Sequence, residues 1–188
     1  MGYILASKSP RRRQYLTQMG IPFEVRSAET DETLPLGVCP REGVEILARR
    51  KAEAAAKLVS EDDTVIAADT LVELRGKPLG KPADADEARG MLRALSGSAH
   101  TVHTGVAVLR GGKMLSRTET TTVCFRALSD AEIDAYVATG EPMDKAGAYG
   151  IQGSASVFVD KIEGSLDNVV GLPCALLTDL LKELASTI

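Results

Sequence analysis

The feature that most constrains the fold is a short apolar run, TVIAA at residues 64–68, which is followed directly by Asp69 and Thr70. A continuous apolar run of this length is typical of a strand that is buried on both faces, as in α/β proteins. Residues 71–74 are expected to continue this strand. Because open α/β sheets bind ligands where their strands end, the pattern predicts a central strand that holds Asp69 at an edge of the sheet.

Helical patterns flank this central strand. At the N-terminus, residues 3–6 predict a strand, and a helix follows that Ser9 caps, Pro10 opens and Gly20 ends. A capping box formed by Ser129 and Glu132 predicts the start of another helix, which ends near residue 139. Amphipathic patterns predict the remaining helices at residues 41–59, 86–95 and 174–184.

The remaining strand patterns complete an α/β fold with a mixed sheet. Residues 23–27 and 157–164 predict single strands, and an acidic loop follows the first of them. Residues 100–109 and 114–126 predict a long β-hairpin, which indicates a second lobe. The loop at residues 140–156 is rich in glycine and polar residues, and we expect it to lie outside the core.

Length and charge exclude several classes of function. A chain of 188 residues with 44% hydrophobic residues is expected to form one domain, or two closely joined lobes, spanning residues 1–188. The 26 acidic residues outnumber the 22 basic ones, so no overall positive field exists to hold duplex nucleic acid. Any bound anion must therefore meet a local cluster of basic groups.

Cysteine spacing and hydropathy point to a cytoplasmic protein. Cys39, Cys124 and Cys174 lie far apart, which fits neither a disulfide framework nor a structural zinc site. No apolar run reaches the roughly 18 residues that span a bilayer. We therefore expect no membrane association.

A basic cluster follows the first predicted strand. Ser7 and Lys8 lie in the loop, and Arg11 and Arg12 lie in the first turn of the helix. A helix N-terminus offers free N–H groups and a positive dipole end, and guanidinium groups add forked donors for phosphate. The segment is suited to a polyphosphate, although a solvated basic face on a surface helix is an equal alternative.

Asp69 is the strongest single candidate for chemistry. A carboxylate in this position can bind Mg²⁺ or accept a proton from water. The alternative is an aspartate that caps a turn through Thr70. Of the acidic residues in the loop, Glu29, Asp31 and Glu32 could complete a cation site with Asp69, but such loop clusters are more often only solvated.

Two lysines and one glycine-rich loop are further candidates. Lys81 lies on a rigid Gly-Lys-Pro loop and is the better phosphate ligand, whereas Lys51 lies among other charges on a helix. The loop around Gln152 contains Gly147, Gly150 and Gly153, so its backbone can approach a ligand closely. Its spacing matches neither the P-loop nor the dinucleotide-binding fingerprint. His100 and His103 are expected to point to opposite faces of a strand.

Five motifs together resemble the Maf family of nucleoside triphosphate pyrophosphatases. They recur in order across nearly the whole chain: LASKSPRR at residues 5–12, AADT at 67–70, Gly-Lys-Pro at 80–82, TGEPMDKAGAYGIQG at 139–153 and NVVGLP at 168–173. The resemblance implies two lobes around a deep cleft, an architecture related to the inosine triphosphate pyrophosphatases. It also implies a cytoplasmic homodimer that uses a divalent metal, Mg²⁺ or Mn²⁺.

The resemblance also assigns roles to residues. It implies cleavage of a nucleoside triphosphate between its α and β phosphates, with Asp69 as the proton acceptor. Arg12, Thr70 and Gln152 match the residues that select dTTP and UTP. The phosphate and metal site corresponds to Ser7, Arg11, Glu32, Lys51, Asp69 and Lys81.

Two rival functions follow from the same family. A member could bind nucleotide as a non-catalytic regulator of septum formation, or it could remove modified nucleotides rather than ordinary dTTP and UTP. The complete set of acidic and basic residues favours an enzyme. The sequence leaves open whether Asp69 accepts the proton itself or acts mainly through a metal.

Overall fold

The computed structural model describes residues 2–187, so both ends of the predicted domain, residues 1 and 188, lie outside it. Within residues 2–187 the chain forms seven strands and six α-helices. The strands are β1 (Tyr3–Leu5), β2 (Phe23–Val25), β3 (Thr64–Leu74), β4 (Lys77–Leu79), β5 (Ala99–Arg110), β6 (Lys113–Phe125) and β7 (Val159–Glu163). The helices are α1 (Pro10–Gln18), α2 (Pro40–Ala56), α3 (Ala85–Leu95), α4 (Asp130–Ala138), α5 (Leu166–Val170) and α6 (Cys174–Ala185).

One mixed sheet joins the described strands. Its order is β2-β1-β3-β5-β6-β7, and β4 pairs with the far end of β3. The pairs that β1 makes with β2 and β3 are parallel, whereas β3, β5, β6 and β7 pair antiparallel. The α/β fold with a mixed sheet is therefore confirmed, including the long hairpin of β5 and β6.

Helices cover both faces of β3, as its apolar sequence requires. Val65 and Ala67 pack against the alanine-rich face of α2. Ile66 and Ala68 point to the opposite face, where leucines of α1 and α6 cover them. Because successive strand residues alternate between faces, Asp69 lies on the α2 side and Thr70 on the α1 and α6 side.

A second core lies over the far half of the hairpin, which supports the predicted second lobe. Val72 of β3 and Val102 of β5 pack there with Leu92 of α3 and Ile133 of α4. The strand β3 therefore passes from one core into the other, and Asp69 and Thr70 lie at the junction. The deep cleft remains a prediction.

Part of the glycine-rich loop belongs to this second core, so the expectation that it lies outside the core is wrong. Ala148 is fully buried and Tyr149 is 5% exposed. The loop forms short 3-10 helices at Glu141–Asp144, Ala146–Ala148 and Ser154–Phe158. Gly147, the residue before Ala148, has φ 69°, in the left-handed region that favours glycine.

Two local expectations need correction, and two short elements were missed. Ser9 is the N-cap residue of α1, but its side chain makes no capping hydrogen bond. Ser7 Oγ instead accepts from the backbone N–H of Ser9 at 3.2 Å. As expected, β3 continues to Leu74, so Asp69 lies within the strand and is not held where a strand ends. The short elements β4 and α5 follow turn-rich sequence and were not predicted.

Within residues 2–187, no helix is long and apolar enough to cross a membrane. Cys39, Cys124 and Cys174 are free thiols.

Candidate active site

The site lies at a gap in the pairing along one edge of β3. Pairing with β1 ends at Ile66, and pairing with β4 begins at Val72. Asp69 and Thr70 lie in the stretch between these two partners. Because β1 ends before β3 does, this edge of β3 has no neighbouring strand at Asp69 and Thr70 within the described residues. The two polar residues are therefore unpaired on this edge although β3 continues past them.

An ammonium group joins two carboxylates on the α2 side of the gap. Lys51 Nζ lies 2.5 Å from Asp69 Oδ1 and 2.8 Å from Glu32 Oε1. The side chains of Lys51 and Asp69 are only 18% and 13% exposed, whereas that of Glu32 is 66% exposed. Hydrogen bonding to Lys51, helped by the charges of Lys81 and Arg12, lowers the pKa of Glu32. Glu32 is therefore ionised at neutral pH.

A glycine in β5 allows α2 to reach this position. Gly105 lies directly opposite Asp69 in the antiparallel register. A Cβ atom on Gly105 would lie 2.4 Å from the backbone oxygen of Val44, which is in α2. No side chain fits there, because the opposing atoms belong to the backbone. The close packing brings the helix, and with it Lys51, down onto the sheet beside Asp69.

A guanidinium group organises the opposite side of the gap. Arg12 donates from Nε to Gly171 O at 2.8 Å, from Nη1 to Ser7 Oγ at 3.2 Å and from Nη2 to Thr70 Oγ1 at 3.1 Å. Burial lowers the pKa of Arg12, and the nearby charge of Asp69 opposes that shift. The group stays protonated at neutral pH, since arginine does not lose its proton in proteins. Two of its five N–H donors remain for a ligand.

A chain of hydroxyl groups continues from Thr70 into the core. Thr70 Oγ1 lies 2.9 Å from Thr104 Oγ1, and Thr104 donates to the backbone oxygen of Asn168 at 2.9 Å. Thr104 and Asn168 are both fully buried. The side chain of Asn168 donates to Val102 O and to Thr121 Oγ1, which ties α5 to the hairpin. Sequence reasoning assigned no role to Thr104, whose place opposite Thr70 follows only from the strand register.

Gly171, the residue after α5, is held against this cluster. It has φ 116°, in the region that favours glycine. A Cβ atom there would lie 3.2 Å from Thr70 Oγ1. The NVVGLP motif thus supplies both a backbone acceptor for Arg12 and the room that the guanidinium needs.

The other predicted residues surround these two clusters less closely. The charge of Arg11 contributes to the lowered pKa of Asp144, of which hydrogen bonding to Lys145 is the main cause. Lys81 acts on Glu32 in the same electrostatic way. The loop of Lys81 is fixed to the glycine-rich segment, because Gly147 N donates to Gly80 O at 2.9 Å.

Gln152 is exposed, and the described residues give its side chain no hydrogen-bond partner. The structure therefore does not join Gln152 to Arg12 or Thr70. Its segment is nevertheless held at both ends: Gly150 N donates to Tyr136 Oη at 3.1 Å, and Ser154 N donates to Glu141 Oε2 at 3.1 Å. Tyr136 Oη in turn donates to Glu141 Oε1 at 3.1 Å.

The two histidines lie outside these clusters. His100 bonds Tyr149 and His103 bonds Glu73, on opposite faces of β5 as expected.

The carboxylates of Asp69 and Glu32 fit a hard divalent cation in part. Both point at one place, since each binds the same ammonium group of Lys51. Carboxylate oxygens are the ligands that Mg²⁺ and Mn²⁺ prefer, and Mg²⁺ commonly takes one or two of them together with phosphate oxygens and water. Within residues 2–187 no group of three or more His, Cys, Asp or Glu side chains could hold a metal. A cation here would therefore depend on the ligand for its remaining contacts.

The fold and the site together define an α/β protein whose candidate site combines basic groups with two convergent carboxylates. The sequence matches the family model described as Maf-like protein over residues 2–184. The chain belongs to this family, as its motifs indicate.

Curated relatives cover nearly the full length of the chain. A protein of Pelotomaculum thermopropionicum named dTTP/UTP pyrophosphatase is 55% identical over 182 residues, which are 96% of this chain and 95% of the relative. A protein of Halalkalibacterium halodurans with the same name is 50% identical, over 95% of this chain and 94% of the relative.

Among solved structures, a nucleoside-triphosphatase, dITP/XTP pyrophosphatase, from Mycobacterium abscessus aligns with a TM-score of 0.48 at 14% identity. The alignment covers 100% of this chain and 98% of that one.

Proposed function

We propose that this protein is a nucleoside triphosphate pyrophosphatase that hydrolyses dTTP and UTP to the monophosphate and pyrophosphate. The observation that carries the proposal is the pair of clusters at the gap in β3. Lys51, Asp69 and Glu32 lie on one side of the strand, and Arg12 and Thr70 lie on the other. One set suits a triphosphate and the other suits a polar base edge. The relatives' activity, as their names describe it, supports the same conclusion.

Charge neutralisation is the first requirement of this reaction. A triphosphate carries about four negative charges, which repel a nucleophile until cations offset them. Ser7, Arg11, Lys51 and Lys81 are proposed to bind the phosphates, and Asp69 and Glu32 are proposed to hold a divalent cation, Mg²⁺ or Mn²⁺. When bound, such a cation polarises phosphoryl oxygens and screens their charge.

Asp69 is proposed to accept a proton from the attacking water. Its Oδ1 is paired with Lys51 in this structure. Phosphate oxygens offer the ammonium group alternative partners, so a bound triphosphate would draw Lys51 away and leave the carboxylate free to act as a base. Water then attacks the α-phosphorus, and pyrophosphate leaves without a covalent intermediate.

Arg12, Thr70 and Gln152 are proposed to select the base. Uracil and thymine present an N3–H donor between two carbonyl acceptors. A glutamine amide can reverse its orientation and pair with cytosine equally well, so discrimination needs a group that only donates. Arg12 is such a group: it suits O4 of uracil and opposes the amino group of cytosine. Mismatches of this kind discriminate by up to roughly 10⁴-fold.

A panel of nucleotides tests the proposal. Purified protein is incubated with each common NTP and dNTP and with Mg²⁺ or Mn²⁺, and pyrophosphate is measured. We expect dTTP and UTP to agree within about tenfold in kcat/KM, because a thymine methyl contributes only about 0.8 kcal/mol, and the other nucleotides to react far more slowly. Nucleotide binding without turnover would favour the regulator, and faster hydrolysis of modified pyrimidines would favour a house-cleaning role.

The position of bond cleavage is a separate test. In ¹⁸O-labelled water, attack at the α-phosphorus places the label in the monophosphate. Orthophosphate as an initial product would mean that the protein is a different hydrolase.

We also propose that residues 1–188 form one domain that works as a homodimer in the cytoplasm. This rests on the resemblance to the Maf family. Sedimentation analysis would test the assembly, and a monomer at micromolar concentration would contradict it.

A further inference from the structure

Three hydrogen bonds link Arg12 to Asn168 through the hydroxyl groups of Thr70 and Thr104. The donor in each can be deduced, because Arg12 can only donate and the backbone oxygen of Asn168 can only accept. The backbone oxygen of Asn168 can only accept, so the single hydroxyl proton of Thr104 is committed to it. At 2.9 Å from Thr70 Oγ1, Thr104 must then accept, because two oxygens this close without a proton between them repel. Thr70 therefore donates to Thr104.

At the other end of the chain, Arg12 can only donate. Its Nη2 donates to Thr70 Oγ1 at 3.1 Å. The Thr70 hydroxyl thus donates its proton to Thr104 and accepts from Arg12 with one lone pair. Its second lone pair remains available to a ligand. Towards a ligand, Thr70 can act only as an acceptor.

We infer that Thr104 is a specificity-determining positioning residue, because it fixes Thr70 as an acceptor that recognises the N3–H of uracil and thymine. This inference rests on the proposed function. Thr104 is fully buried, so it acts through Thr70 and does not touch the nucleotide. Solvent cannot offer Thr104 another partner, so the orientation is maintained.

The pair of Arg12 and Thr70 then matches one kind of base edge. Free N–H groups of Arg12 and the lone pair of Thr70 place a donor next to an acceptor, which complements the adjacent O4 and N3–H of uracil. Cytosine presents an amino donor and an N3 acceptor at these positions. Its donor would face the donor of Arg12, and its acceptor would face the acceptor of Thr70. The amide of Gln152 can reverse its orientation to suit either base. The Thr70 hydroxyl cannot reverse, because its proton is held in the hydrogen bond to Thr104.

Replacement of Thr104 by valine tests the inference, because valine has nearly the same shape and lacks the hydroxyl. Thr70 could then turn its proton towards N3 of cytosine. The ratio of kcat/KM for CTP to that for UTP should rise about tenfold, the effect of one hydrogen bond of about 1.4 kcal/mol. The mismatch at Arg12 would remain, so UTP should still be preferred. Thr104→Ser keeps the hydroxyl and should keep the wild-type ratio.

Thr101→Val, on the same strand, is the matched control. The Thr101 hydroxyl forms no hydrogen bond within the described part of the chain, so the ratio should not change. If Thr104→Val does not fold, Thr104→Ala removes the same acceptor with less demand on packing. A structural role alone would lower both kcat/KM values equally and leave the ratio unchanged.

Two failures can be told apart. An unchanged ratio in folded Thr104→Val or Thr104→Ala, with UTP still preferred by the wild type, overturns the role of Thr104 alone. A wild-type protein that prefers CTP, or that hydrolyses no pyrimidine triphosphate, overturns the proposed function and this inference together.

Discussion

Lys51 Nζ lies 2.5 Å from Asp69 Oδ1, so a residue in the middle of a helix forms an ion pair with a residue in the middle of the central strand. The pair is mostly shielded from solvent, where an ammonium group and a carboxylate each need a partner. Lys51 thus gives the carboxylate of Asp69 a charged partner close to the core. Under the proposed function, phosphate binding and activation of Asp69 are coupled through this one lysine.

Replacement of Asp69 by asparagine should abolish turnover and keep the fold. The amide has nearly the same volume but neither the charge nor the basicity, and loss of a general base costs about 10²-fold or more in kcat. Pyrophosphate release measures the effect, and the melting temperature checks the fold. Asp62→Asn, at an exposed position before β3, should retain full activity. A folded Asp69→Asn protein with near-normal turnover would show that Asp69 is not required.

Replacement of Glu32 by glutamine should weaken the binding of the divalent cation. The variant loses one of two carboxylates that converge on Lys51, so we expect at least a tenfold increase in the Mn²⁺ concentration needed for half-maximal activity, a cost of about 1.4 kcal/mol. Paramagnetic resonance of Mn²⁺ in the presence of a nucleotide gives a readout independent of turnover. Glu29→Gln, in the same loop and exposed, is the control, and equal effects of the two substitutions would argue against a specific ligand.

Replacement of Gly105 by alanine should damage both stability and activity. The added methyl group would lie 2.4 Å from Val44 O, so α2 must move away from the sheet and carry Lys51 with it. Overpacking of this kind costs about 1–3 kcal/mol, which urea unfolding can measure. Gly90→Ala is the opposite case, since the added Cβ in α3 would meet no atom within 4 Å apart from its chain neighbours and the backbone of its own helix. It should stabilise the protein by up to about 1 kcal/mol, and equal losses in the two variants would refute the packing argument.

His100 should make stability depend on pH in mildly acidic solution. Burial lowers the pKa of His100 from 6.5 to about 4, so the unfolded chain binds a proton between these values and the folded chain does not. Stability is therefore complete above pH 6.5 and falls as pH decreases towards 4. Between pH 7 and pH 5 the free energy of unfolding should fall by about 2 kcal/mol through this group.

Urea unfolding of His100→Gln isolates that contribution. The variant cannot gain the proton, so its stability should change less between pH 7 and pH 5 than that of the wild type. The same decrease in both proteins would assign the pH dependence to other groups.

Prediction from sequence succeeded where local patterns decide the structure. The apolar runs of β3 and the hairpin, and the capping box at Ser129, identify their elements because the relevant contacts are near in sequence. The burial of Tyr149 was missed, since the glycines around it indicate a loop regardless of what lies beneath. Gly105 and Thr104 could not be identified either, because their importance arises from the register between β3 and β5.

The alternation of side chains along β3 places two neighbouring residues in entirely different surroundings. Asp69 meets α2 and Thr70 meets α1, although a single peptide bond separates them. A deletion of one residue between Thr64 and Asp69 would turn every later side chain to the other face. The carboxylate would then face Arg12 and the hydroxyl would face Lys51. Evolution can therefore exchange side chains along this strand far more readily than it can change the number of residues in it.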